Sequence, residues 1–375
     1  MDKQCRIFVI NPGSTSTKIA LFEGETCIFS KTVSHDANKL KEFGDVSEQL
    51  PYRRQTIFDL VSSEGITFDG INAFAAMGGG LAALEGGTYP VNEKLLEHSK
   101  IGFSIKNHPA LLGSQLAHEF AQTYKAQAFI VDPPDVDEFE TVARITGFSD
   151  IFRESRTHAL NQKEVARRHA AAIGKKYEEM NLVVAHLGGG VSVSAHKAGR
   201  IIDSTDIAQG DGPLTPTRPG ALPATPLIKQ CYSQNYSEKQ MLDRVIKTGG
   251  FIEHLGTADM LEVETRISNG DRKAQLIHDA FAYQVSKNIG AYATVLEGEI
   301  DAILLTGGIA RSKMLTDKIA KSVSFIAPLT IYEGEFEMEA LAAGVERVLK
   351  SMEQPKTYTG IPIWKGLEEY DKTDA

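Results

Sequence analysis

The sequence predicts an α/β protein of two domains, and three observations carry that expectation. Its 375 residues exceed what one hydrophobic core ordinarily organises. Short apolar runs of strand length alternate with segments whose apolar residues recur at helical spacing. A layout of apolar run, glycine turn and second apolar run occurs twice, roughly half a chain length apart, as two related halves would place it.

The composition, 42% apolar and 24% charged, is that of a globular chain. A formal charge of −9 argues against a nucleic-acid surface and against an anionic membrane face, while leaving room for a local basic pocket. No apolar run reaches the roughly 18 residues of a membrane span. Cys5, Cys27 and Cys231 are few and odd in number, as free thiols in a reducing compartment would be. Met1 opens a polar segment without the apolar stretch of a signal peptide. Taken as complete at both ends, the chain is expected in the cytoplasm.

The first copy of the repeated layout covers residues 9–24. Ile7, Phe8, Val9 and Ile10 run into Asn11, Pro12 and Gly13; Ser14, Thr15, Ser16 and Thr17 follow, then Lys18 and a second apolar run over 19–22. This reads as strand, tight turn, strand, with proline and glycine making the turn. Backbone N–H groups, hydroxyls and one ammonium then converge, a donor set that suits a phosphate. It is not a strand-to-helix P-loop, because GxxxxGK[ST] is absent here. Taken alone, the stretch also fits an ordinary polar hairpin. The second copy covers 182–203: Leu182, Val183, Val184 and Ala185 lead to Gly188, Gly189 and Gly190, after which Ser192 and Ser194 alternate with apolar residues. Two such hairpins suggest two halves aiming phosphate turns at a shared cleft.

Along the chain, residues 5–33 fit a small antiparallel sheet, and 40–64 a surface helix carrying Ile57, Leu60 and Val61. Residues 71–76 read as a buried strand entering Met77, Gly78, Gly79 and Gly80, with Gly86 and Gly87 soon after. Such glycine density marks either a close approach of backbone to something or a flexible loop. His108 precedes a helix over 111–120. The strand over 128–131 ends on Asp132, where α/β proteins bind ligands, although Pro133 and Pro134 equally suit a turn. Asn161 is expected to cap a helix over 162–173. His158 lies just before that N-terminus, where the dipole favours anions; His169, inside the helix, faces solvent or packs.

Residues 210–226 hold five of the chain's 14 prolines and one cation, Arg218. A stiff irregular loop of this length is usually functional. Ser237 and Gln240 form a capping box for a helix over 238–246, ended by Gly249 and Gly250. A long amphipathic helix follows over 270–296. The strand over 300–305 enters Thr306, Gly307, Gly308 and Ile309, and a helix begins near Ser312, an arrangement suited to nucleotide phosphates. After a last strand over 325–331, Glu333, Glu335, Glu337 and Glu339 lead into a helix over 340–349. This acid cluster is a solvated face, a complement to the helix start, or the source of one metal ligand. The tail from 354 is rich in proline, glycine and charge.

In combination, the strings INPGSTSTK (10–18), GGTYPV (86–91), VDPPDVDE (131–138), THALNQK (157–163), AHLGGGVSV (185–193), DGPLTPTRPG (211–220), LGTAD (255–259) and LTGGIA (305–310) resemble the butyrate kinases of the acetate kinase family. That family lies in the superfamily of acetate and sugar kinases, actin and heat-shock ATPases. The resemblance implies two ribonuclease-H-like, actin-like ATPase domains with a nucleotide cleft between them. Residues 1–149 plus 340–375 would form the acyl-substrate side, and 150–339 the nucleotide side. It also implies a homo-oligomer, at least a dimer.

The implied reaction passes a phosphoryl group from ATP, with Mg2+, to a short-chain carboxylate, giving ADP and acyl phosphate. Arg218 and His158 would stabilise the migrating group, and Asp132 would orient Arg218 or the metal's waters. Asn11 and Glu337 match metal-linked positions. Ser14, Ser16 and Lys18 would sit beside the phosphates from one domain, with His186, Gly188, Gly189, Gly190 and Ser192 beside them from the other. Gly307, Gly308, Ile309 and Asp259 would lie near the adenosine. His108, Met77, Gly78 and Gly79 would flank the acyl substrate. Two positions depart from the family: Met77 and Leu261 stand where acetate kinases carry arginines, the first of them on the substrate carboxylate. Losing such a partner costs about 1.5–3 kcal/mol. Four readings stay open: a kinase for butyrate or a branched acid, a kinase for acetate or propionate, a catalytically weak ATP-binding protein, and a phosphoanhydride hydrolase on the same fold.

Overall fold

The computed structural model describes residues 4–207 and 209–367. The first three residues, from which the absence of a signal peptide is partly read, and the end of the tail lie outside the described residues. The chain separates into two compact units, Met1–Asp137 with Phe336–Ala375, and Glu138–Glu335. The resemblance implies boundaries at 149/150 and 339/340.

In the first unit, β1 (Arg6–Pro12), β2 (Ser16–Glu23) and β3 (Thr26–Ser34) form an antiparallel meander. The expected small sheet is one half of a larger one. β4 (Ala73–Ala76) runs parallel to β1, β5 (Thr88–Pro90) forms the far edge, and β6 (Gln127–Val131) joins them, in the order β3-β2-β1-β4-β6-β5. The reason is visible in β1, where Ile7, Phe8, Val9 and Ile10 are all fully buried, the pattern of a central strand covered on both faces. Phe8 and Ile10 pack with Phe74 and with Leu112, Leu116 and Phe120 of the helix Leu111–Tyr124. Val9 points the other way, to the face it shares with Phe129, its counterpart in register, and with Val131 two residues on. There the helix Glu337–Leu349 comes so close that a Cβ on Gly344 would lie 2.5 Å from the Val131 side chain.

The helix expected over 40–64 is broken. A turn at Ala37–Lys41 gives way to Val46–Gln49, capped by Asp45, and Leu50–Ser63 starts afresh with Pro51 in its first turn. Proline fits a helix only there, because it lacks the N–H that later turns require.

The second unit repeats the plan. β7 (Asn181–Leu187), β8 (Val191–Lys197) and β9 (Arg200–Ser204) form the meander, and β10 (Ala302–Gly307) and β11 (Leu329–Glu333) add parallel strands on the far side of β7. The order β11-β10-β7-β8-β9 makes β7 the counterpart of β1. Phe281, Val285 and Ile289 of the helix Arg272–Val295 bury against β7 and β8 through Val183 and Val193. The helix Ala159–Ala172 starts earlier than the sequence suggests. His158 takes the N-cap position, and Asn161 lies inside the first turn with its amide buried rather than capping. Its partners, described below, outbid a cap. The last helix likewise starts at Glu337, with Glu337 and Glu339 in the first turn, where acids complement the dipole. Among the described residues, no helix is long and apolar enough to cross a membrane.

Candidate active site

In the first unit the turn between β1 and β2 closes through the Gly13 N–H, which donates to Ser16 O at 2.7 Å. Beneath it lies Arg53, fully buried. Its Nη1 donates to Gly13 O (2.8 Å) and Thr17 Oγ1 (3.2 Å), its Nη2 to Ser14 O (3.2 Å), and its Nε to Gln49 Oε1 (3.0 Å). In a trans peptide the N–H points opposite to its C=O. Pulling the carbonyls of Gly13 and Ser14 onto the guanidinium therefore turns the N–H groups of Ser14 and Thr15 away from it, where an anion can take them. Ser14 and Lys18 are exposed and Ser16 half-buried. Asn11, opposite Lys18 in the ladder, donates its Nδ2 to Glu337 Oε2 at 2.8 Å. The two expected metal-linked residues thus meet. Among the described residues no group of three His, Cys, Asp or Glu is placed to hold a metal.

Asp132 is buried in a left-handed conformation, φ 38°. Its Oδ1 accepts the Gly87 N–H at 2.7 Å and its own N–H donates to Gly87 O at 3.0 Å, so it pins the 86–87 loop to the end of β6. The glycines after β4 have an internal cause. A Cβ on Gly78 would lie 2.8 Å from Ile130 Cγ2, and one on Gly79 would lie 2.8 Å from Ala110 Cβ. Met77 is half-buried at the strand's end, and His108 is exposed, its Nδ1 accepting the Ala110 N–H at 3.2 Å.

In the second unit the glycine turn and the proline-rich loop form one object. The Gly188 N–H donates to Gly190 O (3.0 Å), while Thr215 Oγ1 and Thr217 Oγ1 both donate to Gly189 O (2.8 and 3.0 Å). The loop closes on itself through Thr215 N–H to Arg218 O (2.9 Å) and Arg218 N–H to Thr215 Oγ1 (3.0 Å). Gly249 supports it from below, since a Cβ there would lie 2.7 Å from Pro219 Cδ. The Arg218 guanidinium lies over Gly190, in the volume a Cβ would fill, and its Nε is buried with no hydrogen-bond partner among the described residues. Burial draws its pKa below the ordinary arginine value, with Asp206 opposing; it stays a cation.

Beside it the His158 and His186 rings stack, centroids 3.8 Å apart and planes 13° from parallel. His158 Nδ1 lies 2.8 Å from Ser192 Oγ, and His186 Nδ1 lies 2.9 Å from Asn161 Nδ2. Burial lowers His186 to about 4, against the pull of Glu335. Burial, then His186, then Arg218 hold His158 well below its usual range. At neutral pH both rings are therefore uncharged donors beside one cation. Gly307 ends β10 at φ 94°, where a Cβ would lie 2.3 Å from Leu187 O, and Gly308 and Ile309 open a short 3-10 turn. Asp259 caps the helix Met260–Ser268, accepting the Leu261 N–H at 2.9 Å, and Leu261 is exposed.

A model of the acetokinase family matches residues 150–339, the stretch that carries the stacked histidines, the glycine turn and Arg218. The chain belongs to the acetokinase family. Among solved structures it is similar to an acetate kinase of Porphyromonas gingivalis, with a TM-score of 0.76 and 16% identity over 92% of this chain and 100% of that one. A propionate kinase of Francisella tularensis subsp. tularensis SCHU S4 follows at 0.72 and 18%, over 90% and 98%. An acetate kinase of Entamoeba histolytica stands at 0.72 and 14%, over 91% and 99%. At these identities the likeness is one of fold, and the expected α/β, actin-like ATPase class is the class found.

For this acetokinase-family chain, sequence reasoning overlooked Arg53, Gln162 and Thr215. Arg53 left a trace: it shares a buried face with Ile57 and Val61 at helical spacing, and a cation on an apolar stripe is unusual. Gln162 and Thr215 lie within two of the strings that carry the resemblance, but spacing gave no sign of their partners, which come from β8 and from the turn before it.

Proposed function

We propose that this protein transfers the terminal phosphoryl group of ATP to a short-chain carboxylate. A carboxylate oxygen bonds to the γ-phosphorus as the bond to the β,γ-bridging oxygen breaks, giving acyl phosphate and ADP. The observation that carries this reading is the Arg218 guanidinium, held over the Gly188–Gly190 turn beside two neutral imidazoles. Such a group spreads the charge that builds on the equatorial oxygens, and loose phosphoryl transfer needs little else from a protein. The turn shaped by Arg53 adds outward N–H groups for phosphate oxygens.

Mg2+ takes only one or two protein oxygens and completes its shell with water and phosphate, so the Asn11–Glu337 pair is a fitting donor set. The ion, when bound, neutralises phosphate charge. Asp132 contributes by fixing the Gly86–Gly87 loop. Met77 is apolar and half-buried at the end of β4, which favours an acid with an apolar tail, butyrate or a branched relative, over acetate. Leu222, Ile228 and Tyr232 are exposed, which supports assembly into at least a dimer, checked by sedimentation.

Trapping with hydroxylamine across carboxylates from acetate to hexanoate, with Mg·ATP, tests the reaction. Acyl hydroxamate with a maximum at four or five carbons is the expected outcome. ATP binding without product would replace the kinase by a nucleotide sensor, and phosphate release without an acyl acceptor would replace it by a hydrolase.

A further inference from the structure

Two neighbouring amides on the helix Ala159–Ala172 serve the stacked pair: Asn161 contacts His186 directly, and Gln162 reaches His158 through the Ser192 hydroxyl. Gln162 Nε2 lies 3.1 Å from Ser192 O, a carbonyl that can only accept, so the NH2 end faces Ser192 and Oε1 faces His196 Nε2 at 3.2 Å. His196 is fully buried. Its Nε2 must therefore carry the proton, and its Nδ1 accepts from Tyr177 Oη at 2.7 Å.

The same Gln162 NH2 group donates to Ser192 Oγ at 2.8 Å, and the His158 backbone N–H approaches that oxygen at 3.5 Å. With both lone pairs engaged, the Ser192 hydroxyl proton is directed to His158 Nδ1, which leaves the His158 proton on Nε2. A parallel chain serves the other ring. Thr306 Oγ1 donates to Gly334 O (3.2 Å) and so accepts from Asn161 Nδ2 (3.2 Å), and that NH2 group also donates to His186 Nδ1. The His186 proton is likewise on Nε2.

We infer that Asn161 and Gln162 are positioning residues that lock the stacked His158–His186 pair as two Nε2–H tautomers, a matched set of neutral donors for anionic oxygens. Tautomer choice in a neutral imidazole is otherwise nearly free, and the wrong choice would present a lone pair to an anion. The inference rests on reading His158 as a donor to the transferred group, but its test does not need turnover.

Long-range 1H–15N spectra of the histidine-labelled full chain distinguish the two tautomers. In the wild type His158, His186 and His196 should each show Nε2–H. Gln162→Glu replaces a donor by an acceptor, so Ser192 should turn its proton to the new carboxylate and His158 should become Nδ1–H. Asn161→Asp should flip His186 alone. Loss of one oriented donor should lower kcat by about 10²-fold with KM for ATP little changed. An Nδ1–H ring at His158 or His186 in the wild type overturns the inference, as do unchanged tautomers in both variants. Should a variant fail to fold, the wild-type spectrum still decides. Tautomers as expected with no acyl phosphate formed would leave the lock standing and remove the kinase reading.

Discussion

Gly190 and Arg218 share one space: the guanidinium Nη1 lies where a Cβ on Gly190 would have to be. The glycine is there to admit the arginine. Gly190 has no left-handed backbone to excuse it, unlike Gly307 or Gly250, so alanine is conformationally allowed. Gly190→Ala should therefore fold normally while displacing Arg218. A shift of about 1 Å at a reacting group costs on the order of 10²-fold in rate. Hydroxamate formation should fall accordingly with an unchanged melting curve; full turnover would separate Arg218 from the reaction.

Arg218→Ala should act more severely, because the charge itself is lost. Comparable arginines are worth about 10³–10⁵ in kcat. Nucleotide binding, followed by calorimetry, should largely survive. Arg218→Lys should restore little, since an ammonium cannot bind two oxygens in a fixed plane.

Arg53→Met tests the shaping of the first turn. It leaves the carbonyls of Gly13 and Ser14 without their charged donor, and hydrogen bonds to charged groups are worth about 1.5–3 kcal/mol each. Urea unfolding should show a loss on the order of 2–3 kcal/mol, and KM for ATP should rise more than kcat falls. An unchanged KM would mean that the turn does not hold phosphate.

Glu337→Gln removes the carboxylate paired with Asn11. The Mg2+ concentration giving half-maximal turnover should rise about tenfold or more, as loss of a charged partner predicts. Identical Mg2+ titrations of the variant and the wild type would place the ion elsewhere.

The buried histidines also set a pH dependence of stability. His186 titrates at about 4 in the native state and at about 6.5 when unfolded. Between those values the unfolded chain binds more protons, so stability is level above the window and falls as pH drops through it. His186 alone contributes about 3 kcal/mol of loss by pH 4. Urea unfolding across pH 4–7 should show the slope, and His186→Asn should flatten it; equal slopes would show that the ring is not held neutral.

Much of this molecule was legible in one dimension because the signals concerned were local. Apolar alternation around Gly13 and Gly188–Gly190 announced both hairpins, the Ser237–Gln240 pair announced its capping box, and a helical period announced the helix Arg272–Val295. Each depends on neighbours within a few residues, where spacing alone sets which groups can meet. What only the tertiary structure decided were partnerships across long separations. It moved Asn161 from a cap to an inward amide, because buried His186 and Thr306 needed a donor. It gave the glycines after β4 to Ala110 and Ile130, put Arg53 under a turn formed elsewhere in the chain, and set Arg218 in the notch left by Gly190. A sequence states which groups exist; whether a buried polar atom has a partner depends on what folding carries to within 3 Å of it.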